Sequence, residues 1–282
     1  MISAAPPPTI ADIARHYDEI DPFYRELWGE HLHHGLWATG EEEPEQAVLQ
    51  LIDLVVDAAA IGPEDRVCDV GCGYGATARV LASRVGAIVT GVNVSTTQHA
   101  YARKVANGAN PDYLLADWLE CDFPSGRFDV VVAIESVEHM RDAARCITEA
   151  HRVLRPGGRL VVCAWLASDH AREWQIRHLL QPICREGQLA GLPTAADYDI
   201  WFQAAKFQLV TMSDITAQVR RTWDICLARL VRRILIRPSS WRYLLDPSFE
   251  SRVFALTVLR IWIAYRTGCL RYAVFAGTKP QP

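Results

Sequence analysis

The sequence predicts an α/β fold built on a seven-stranded, mostly parallel sheet with helices on both faces. Three observations lead to this prediction. Between residues 65 and 165, short β-branched runs alternate with helical patterns, which is the rhythm of βαβ units. A glycine-rich turn follows the first of these runs, at residues 71–75. Beyond residue 165 the rhythm changes, and two further strand-like runs enclose a long, mainly helical stretch.

The individual elements follow from the same periodicities. The expected strands are Arg66–Val70, Ala87–Val92, Tyr113–Ala116, Phe128–Ile134, Gly158–Ala164, Phe207–Met212 and Arg271–Ala276. Residues 9–60 are expected to be helical with turns near 22, 35–40 and 44, and further helices are expected at about 76–84, 96–107, 141–153, 170–186 and 195–205. A Pro-Gly-Gly sequence at 156–158 marks the turn into the fifth strand.

Composition narrows the class of protein. The chain has 282 residues, of which 50% are hydrophobic and 22% charged, enough for a sizeable core. Its first residues lack the basic start and apolar run of a secretory signal. The most apolar late stretch, 253–265, contains Arg260 and is shorter than the roughly 20 residues of a membrane span. The eight cysteines form no Cys-x-x-Cys pair, which indicates reduced thiols, so we expect a soluble, cytoplasmic protein.

The net charge of −4 conceals an asymmetry. From Gln218 to the end, 12 Lys and Arg stand against three acids, a local balance of +9, so the remainder carries −13. Such a split indicates a solvated helix face, which is the commoner case, or an anionic partner. Because the overall charge is acidic and no strip of aromatic and basic residues stands out, we expect no nucleic-acid partner.

The sharpest local signal is VCDVGCGYG at residues 67–75, where a hydrophobic strand ends in Asp69 and passes into a glycine-rich turn. Glycines let the backbone approach a ligand where a Cβ atom would clash. The carboxyl ends of central strands in such sheets face the crevice that binds ligands. The spacing here is Gly-x-Gly-x-Gly, whereas a dinucleotide fingerprint has its third glycine one residue later.

The ends of the next two strands carry further candidate ligand contacts. Asn93 follows the second strand, where nicotinamide and S-adenosylmethionine enzymes usually have an acid, and its amide can still bind hydroxyls. After the third strand, the Asp117 carboxylate can accept from an adenine amino group and the Trp118 ring can stack. Asp69 can instead be a helix cap and Trp118 a core residue. The order of these features nevertheless favours S-adenosylmethionine over a dinucleotide.

The sequence resembles the class I S-adenosylmethionine-dependent methyltransferases and, more narrowly, the γ-tocopherol methyltransferase family. The core motifs that carry the resemblance are VCDVGCGYGATARVLA, FDVVVAIESVEHM and RVLRPGGRLVVCAW. It extends to HYDEIDPFYRELWGEHLHHGLW (16–37), to the LLQPIC and LPTAADY segments within 179–198, and to YAVFAGTKP (272–280). The resemblance implies a Rossmann-like fold, S-adenosyl-L-methionine as cofactor and S-adenosyl-L-homocysteine as product.

The resemblance also implies ten donor-binding residues. They lie in the N-terminal segment, at the glycine-rich turn and after the second and third strands: Tyr17, Trp37, Asp69, Gly71, Gly73, Asn93, Val94, Gln98, Asp117 and Trp118. The glycine-rich turn would line the methionine portion of the donor. The residues after the second strand would hold its ribose, and the residues after the third strand would hold its adenine. The two aromatic residues of the N-terminal segment would close over the donor.

We interpret residues 1–282 as a single methyltransferase domain. Residues 9–60 would form an N-terminal helical cover, 61–165 the donor-binding core, and 166–282 an acceptor-side half with a helical insertion at about 213–270 before the last strand. In the insertion, apolar residues recur at three- and four-residue steps, which gathers them on one helix face: Ile215, Val219, Trp223, Cys226, Leu230 and Ile234. Five arginines lie mainly around the rest: Arg220, Arg221, Arg229, Arg232 and Arg233.

Candidate catalytic residues follow the fourth strand. Methyl transfer from a sulfonium is an in-line displacement, in which the protein chiefly aligns the reacting groups. A base is needed only where the nucleophile must lose a proton. His139 has an unperturbed pKa suited to that task, and Glu135 can orient a substrate or deprotonate an isoprenyl acceptor. Glu138 ranks below both because it can simply face solvent.

The histidines at 31, 33 and 34 are interpreted as part of a lid, since no acidic or cysteine partner suggests a metal site. We expect methyl transfer to carbon, oxygen or nitrogen of a hydrophobic or prenylated small molecule in secondary metabolism. The alternatives are a small-amine or alkaloid N-methyltransferase, an isoprenyl diphosphate C-methyltransferase and a non-catalytic donor-binding scaffold. The basic C-terminal region would rest peripherally on an anionic membrane that supplies a lipophilic acceptor.

Overall fold

The computed structural model describes residues 1–3, 6–19, 21, 25, 29–236 and 250–281. Its strands, in chain order, are β1 (Ile2–Ser3), β2 (Arg66–Val70), β3 (Ile88–Asn93), β4 (Asp112–Leu115), β5 (Phe128–Ile134), β6 (Leu154–Ala167), β7 (Gly191–Leu192), β8 (Gln208–Asp214) and β9 (Leu270–Thr278). The short β1 and β7 pair with each other, and the other seven form one sheet. The predicted seven-stranded sheet is therefore confirmed.

The sheet order is β4-β3-β2-β5-β6-β9-β8. Every neighbouring pair is parallel except those that involve β9, which runs antiparallel to both β6 and β8. The chain moves outward from β2 to β4 and then returns to β5 on the other side of β2. Because of this reversal, the connections that follow β2 and β5 diverge and leave a crevice at the carboxyl ends of these two strands. Open α/β sheets bind ligands in such a crevice.

Helices cover both faces of the sheet. In chain order they are α1 (Ile10–Glu19), α2 (Pro44–Ala59), α3 (Ala76–Val80), α4 (Thr96–Val105), α5 (Ala143–Val153), α6 (Glu173–Gln175), α7 (Gln181–Glu186), α8 (Ala195–Ala204), α9 (Thr216–Val219), α10 (Arg221–Ile236) and α11 (Glu250–Arg266). Wider helical turns continue α3 over Leu81–Val85 and join α6 to α7 over Ile176–Leu180. Between α1 and α2, residues 29–43 are irregular rather than helical.

The core lies on both sides of the sheet, as the central strand β5 shows. All seven of its residues are buried, which is typical of a parallel strand covered on both faces. Val130 and Val132 belong to the apolar cluster that contains residues of α2 and α11. Val131 and Ala133 belong to the second cluster, with residues of α5 and α8. The alternation follows from the two-residue period of a strand.

The helical insertion before the last strand is present, with one difference. The predicted continuous helix is interrupted at Arg220, where α9 ends and α10 begins. The apolar face is confirmed for five of its six residues, all of them buried in one cluster: Ile215, Val219, Trp223, Cys226 and Leu230. The side chain of Ile234 and residues 237–249 of the insertion lie outside the described part of the chain.

All eight cysteines are free thiols. Within the described ranges, none of the helices is both long enough and apolar enough to traverse a bilayer.

Candidate active site

Two adjoining cavities open at the carboxyl ends of the strands. The first has an empty volume of about 990 Å³ and lies between α1 and the ends of β2, β3 and β4. The second has an empty volume of about 810 Å³ and lies among β6, α7, α10 and α11. Four residues line both cavities, so a molecule in one would meet a molecule in the other at their shared wall: Tyr17, Leu32, Glu135 and His139.

The first cavity brings together all but one of the predicted donor-binding residues: Tyr17, Asp69, Gly71, Gly73, Asn93, Val94, Gln98, Asp117 and Trp118. Trp37 is the exception, because it lines neither cavity. Its indole Nε1–H donates to the carbonyl oxygen of Glu42 at 3.0 Å, and its backbone N–H donates to that of Gln218 at 3.0 Å. Trp37 therefore anchors the loop before α2 to α9, and the prediction that it closes over the donor is wrong.

The glycine-rich turn shapes the floor of the first cavity. Gly71 and Gly73 have φ angles of +76° and +55°, in the left-handed region that favours glycine. A Cβ atom on Gly71 would overlap the side chain of Ser136, so this position is restricted by protein packing. A Cβ atom on Gly73 would meet no protein atom within 4 Å. Gly73 is thus the position at which the turn is open toward a ligand.

Among the residues that line this cavity, Asp69 Oδ2 and Gln98 Nε2 are buried polar atoms that, like His31 Nδ1, have no partner among the described residues. Burial raises the pKa of Asp69 to about 7. Leaving such groups unpaired costs free energy, so a ligand that binds them is favoured. S-adenosylmethionine fits this pair, since its amino group can donate to a carboxylate and its hydroxyl or carboxylate oxygens can accept from an amide.

Asn93 holds the turn rather than presenting a free amide. Its Nδ2 donates to the carbonyl oxygen of Gly73 at 3.1 Å and to Gln98 Oε1 at 2.9 Å. Its Oδ1 accepts from the backbone N–H groups of Val94 and Ser95 at 2.8 and 3.3 Å. Because Asn93 occupies Oε1 of Gln98, the Nε2 of that residue is left for a ligand. An acid at position 93 would have no hydrogen to donate to Gln98.

Asp117 and Trp118 each have a structural role in the protein and also line the cavity in which the donor is expected. Asp117 Oδ1 accepts from the backbone N–H of Leu119 at 3.0 Å and so caps a short 3-10 helix over Trp118–Glu120. The Trp118 indole donates to the carbonyl oxygen of Cys146 at 3.4 Å and is buried in the core. Both residues also line the first cavity.

The cover helix α1 is fixed over the cavities by Asp18. Its carboxylate accepts from Ser95 Oγ at 2.6 Å, Thr96 Oγ1 at 2.8 Å and the backbone N–H of Thr97 at 3.1 Å, at the N-terminus of α4. An anion at this end of a helix is favoured by the exposed N–H groups and the helix dipole. This attachment places the next residue toward the N-terminus, Tyr17, in the shared wall.

His139 presents a basic nitrogen at the shared wall. Its Nδ1 lies 3.0 Å from the carbonyl oxygen of Gln188, which can only accept, so Nδ1 carries the proton. Its Nε2 lies 2.9 Å from the Tyr17 hydroxyl, which therefore donates to it. Burial lowers the pKa of His139 below its usual value, so the ring is neutral at neutral pH. A neutral imidazole in this arrangement can accept a proton at Nε2.

Glu135 is already saturated with donors. Its Oε1 accepts from the backbone N–H and Nδ1–H of His34 at 2.7 and 2.9 Å and from the Tyr272 hydroxyl at 2.9 Å, and its Oε2 accepts from Trp165 Nε1–H at 2.8 Å. Burial acts to raise the pKa of Glu135, but the contacts with His34 outweigh it and hold that pKa at about 2. A carboxylate stabilised in this way is a poor proton acceptor. The geometry favours a positioning role, in which Glu135 orients His34.

The second cavity has mostly apolar walls with a few polar groups. The apolar lining comes from Leu32, Trp165, Ile183, Leu189, Trp223, Val258 and Ile261. Among the polar groups, Glu186 is paired with Arg260 and accepts from Thr257 Oγ1 at 2.6 Å. No Lys or Arg occurs among the described residues that line this cavity.

Glu138, which the sequence ranked low as a candidate because it could face solvent, also lines the second cavity. It is only 2% exposed, because the 3-10 helix Val137–His139 turns it under β6.

The three clustered histidines divide between the cavities. His31 and His33 line the first cavity, and burial together with His33 lowers the pKa of His31 to about 3. His34 lines the second cavity, where its Nε2 accepts from the Trp223 indole at 2.7 Å. Across the described ranges, no three His, Cys, Asp or Glu side chains are arranged to hold a metal ion.

Known proteins resemble this chain over almost its full length. A family model described as a methyltransferase domain matches residues 68–162. The chain is 38% identical over 283 residues to the 27-O-demethylrifamycin SV methyltransferase of Amycolatopsis mediterranei (strain S699), covering 97% of this chain and 99% of that one. It is 28% identical to the chloroplastic tocopherol O-methyltransferase of Arabidopsis thaliana, covering 95% and 82%.

Among solved structures, a mycolic acid cyclopropane synthase complexed with S-adenosylhomocysteine and CTAB has a TM-score of 0.84 at 21% identity. The match covers 97% of this chain and 99% of that one. At this identity the likeness concerns the fold, which agrees with the sheet order described above.

Proposed function

This chain belongs to the class I S-adenosylmethionine-dependent methyltransferases and methylates small molecules, and we propose that its acceptor is a hydrophobic compound methylated on oxygen. The observation that carries the proposal is the shared wall. There a neutral histidine nitrogen, His139 Nε2, stands between the cavity that holds the predicted donor-binding residues and the second cavity. A hydroxyl nucleophile must lose a proton during methylation, and this is the group placed to take it.

We propose that S-adenosylmethionine occupies the first cavity, where it supplies an electrophilic methyl group bound to a sulfonium. Asp69 would bind its amino group, because Oδ2 is buried and without a partner in the described residues. Gln98 would donate to its ribose, in the orientation that Asn93 imposes. Gly71, Gly73 and Val94 would form the adjoining backbone surface, and Asp117 with Trp118 would hold the adenine.

In the proposed reaction His139 receives the proton of the acceptor hydroxyl at Nε2. Two routes fit the hydrogen bond between Tyr17 and His139. Either Tyr17 turns aside and the acceptor binds His139 directly, or Tyr17 gives its proton to Nε2 and takes the acceptor's proton in return. Gln188 fixes the tautomer of His139 in both routes. Glu135 and His34 hold the wall in place without exchanging protons.

The second cavity argues for this acceptor over two alternatives. Several large apolar side chains, among them Trp165, Trp223 and Ile261, line this cavity, and a small polar amine would make no use of them. An isoprenyl diphosphate would need cationic partners, and the described lining residues include no Lys or Arg. A phenol or alcohol on an apolar skeleton suits both the walls and His139.

A screen with radiolabelled S-adenosylmethionine tests the proposal. We expect labelled methyl ethers from prenylated phenols and comparable apolar hydroxy compounds, and little transfer to small amines, indole alkaloids or isoprenyl diphosphates. The O-methyl ethers of the same phenols serve as the control, since they keep the skeleton but have no hydroxyl to methylate. Transfer confined to amines or diphosphates, or onto the control ethers, would contradict O-methylation.

We further propose that α10 and α11 bring the acceptor from an anionic membrane surface. Large apolar side chains are exposed on these helices beside the exposed Arg232: Val231, Leu235, Ile236, Leu256 and Leu259. The same helices supply Trp223, Val258 and Ile261 to the second cavity. Apolar contacts combined with a net positive region are what peripheral membrane helices use.

Sedimentation with lipid vesicles tests this surface. At low salt we expect binding to vesicles that contain phosphatidylglycerol, weaker binding to phosphatidylcholine alone, and loss of binding at high salt. Leu235→Glu should reduce binding about tenfold, because Leu235 is 73% exposed and its loss disturbs little packing. Met212→Glu is the matched control, since Met212 is 51% exposed on β8. Absence of binding at low salt, or equal loss in the two variants, would contradict a membrane role.

A further inference from the structure

We propose that Glu138 binds the acceptor in the second cavity by donating a hydrogen bond to an oxygen atom of the acceptor. This inference rests on the proposed function, because it names a further contact within the same site. Glu138 is buried in the wall of the cavity, and its Oε2 has no partner among the described residues. It is therefore a polar atom that a bound molecule can satisfy.

The surroundings of Glu138 fix which of its atoms is available. Its Oε1 accepts a hydrogen bond from the backbone N–H of Trp165 in β6. Its own carbonyl oxygen accepts from the backbone N–H of Ala190 at 2.7 Å, next to β7. These two contacts hold the residue from opposite sides, so the carboxyl cannot turn out to solvent without breaking one of them. Only Oε2 remains for a ligand.

The other titratable groups around this cavity already have partners in the structure. Glu135 accepts four hydrogen bonds, and Glu186 is paired with Arg260. His139 bonds to Tyr17 and Gln188, whereas His34 bonds to Glu135, Trp223 and Tyr265. His16 is half-buried beside His139, and its partial burial lowers its pKa to about 4. Among the described residues, Glu138 Oε2 is thus the buried side-chain atom of this wall with unused capacity.

The protonation of Glu138 indicates what kind of atom it binds. Burial raises the pKa of Glu138 to about 8, and the nearby negative charge of Glu135 acts in the same direction. At neutral pH the group is mainly a neutral acid. Because Oε1 is occupied as an acceptor, the proton resides on Oε2. Its natural partner is a carbonyl, ether or hydroxyl oxygen.

The ligand class follows from the wall as a whole. Apolar side chains such as Ile183, Leu189 and Ile261 require an apolar skeleton. His139 requires that the acceptor has a hydroxyl at the shared wall. Glu138 requires a second oxygen atom of the acceptor at a different point of the same cavity. We therefore infer an acceptor that is hydrophobic and carries at least two oxygen functions, only one of which is methylated.

A matched pair of probes isolates the contribution of Glu138. Valerophenone and pentylbenzene have nearly the same shape, but only valerophenone has a carbonyl oxygen, which accepts and cannot donate. The neutral Nε2 of His139 has no hydrogen to offer it. Binding of both probes is measured by ligand-observed NMR on protein saturated with S-adenosylhomocysteine. Binding of S-adenosylhomocysteine itself is measured separately by calorimetry. If S-adenosylhomocysteine does not bind, that result counts against the proposed function and not against the role of Glu138.

We expect the ratio of the two dissociation constants to favour valerophenone in the wild type and to fall about tenfold in Glu138→Leu. Glu138→Gln should keep the preference, because its amide can donate into the cavity while its oxygen accepts from Trp165. Glu173→Gln is the control and should also keep it, because Glu173 is exposed and lines neither cavity. An unchanged ratio in Glu138→Leu, a loss of preference in Glu138→Gln, or no binding of either probe overturns the inference.

A second measurement covers the case in which Glu138→Leu does not fold. Difference infrared spectra of the wild type with and without valerophenone should show a protonated-carboxyl band that shifts on binding. The band should be missing from Glu138→Gln. If no carboxyl band shifts when valerophenone binds, the inference is wrong.

Discussion

Gly73→Val should abolish the binding of S-adenosylmethionine and leave the sheet folded. No protein atom lies within 4 Å of a Cβ atom at this position, so the new side chain would project into the first cavity and not into the core. The left-handed φ of +55° adds backbone strain, of the order of 1–3 kcal/mol for a side chain in that region. A domain stable by about 5–15 kcal/mol tolerates that cost. The donor cannot share the space of the isopropyl group.

Calorimetric titration with S-adenosylmethionine measures the effect, and circular dichroism with thermal unfolding reports the fold. Gly108→Val is the matched control, because Gly108 also has a positive φ, +98°, and open space at its Cβ, but it lines neither cavity. The control separates backbone strain from loss of ligand space. A folded Gly73→Val protein that binds the donor with wild-type affinity would disprove the assignment of the turn.

Removing the imidazole of His139 should have the second-largest effect. His139→Ala should lower turnover by about 10²–10⁴-fold, the usual contribution of a general base, while donor affinity changes far less. The reason is geometric, since Nε2 lies at the shared wall and bonds to Tyr17, and not to the turn that lines the donor cavity. His170→Ala is the control, because His170 is exposed and lines neither cavity.

Single-turnover rates and calorimetry distinguish the possible roles of His139. Because burial lowers its pKa below 6.5, the neutral form predominates at pH 6.5 and above, and the rate that depends on it should be lost as the pH falls below that value. Tyr17→Phe should reduce the rate if Tyr17 relays the proton and spare it if the acceptor binds His139 directly. If His139→Ala instead weakens donor binding and spares single-turnover transfer, His139 is a donor ligand and not a base.

Local patterns were sufficient to predict the sheet and most of the donor cavity. The β-branched runs at 66–70 and 128–134 became central strands, and the residues after each strand end came together. Parallel strands all direct their carboxyl ends to one edge, so residues that follow successive strands converge whatever the loop details. The glycine-rich turn could be recognised for the same reason, since its backbone conformation is encoded in a few consecutive residues.

The roles of individual polar side chains could not be predicted in this way. Asn93 was expected to contact the ribose, but it orients Gln98. Glu135 was a candidate base, but segments that are distant in sequence supply its four hydrogen bonds. Glu138 ranked low as a candidate because it could face solvent, but it is buried under β6.

The sequence by itself therefore determined the fold class, the order of the strands along the chain, the glycine-rich turn and the convergence of Asp69, Asn93 and Asp117 at one edge. Each of these depends on short-range periodicity or on the geometry common to all parallel sheets. Only the tertiary structure decided that Trp37 anchors a loop, that His139 is paired with Tyr17, and that a second, apolar cavity adjoins the first. Burial and hydrogen bonding of a side chain depend on residues more than a hundred positions away, which no local pattern contains.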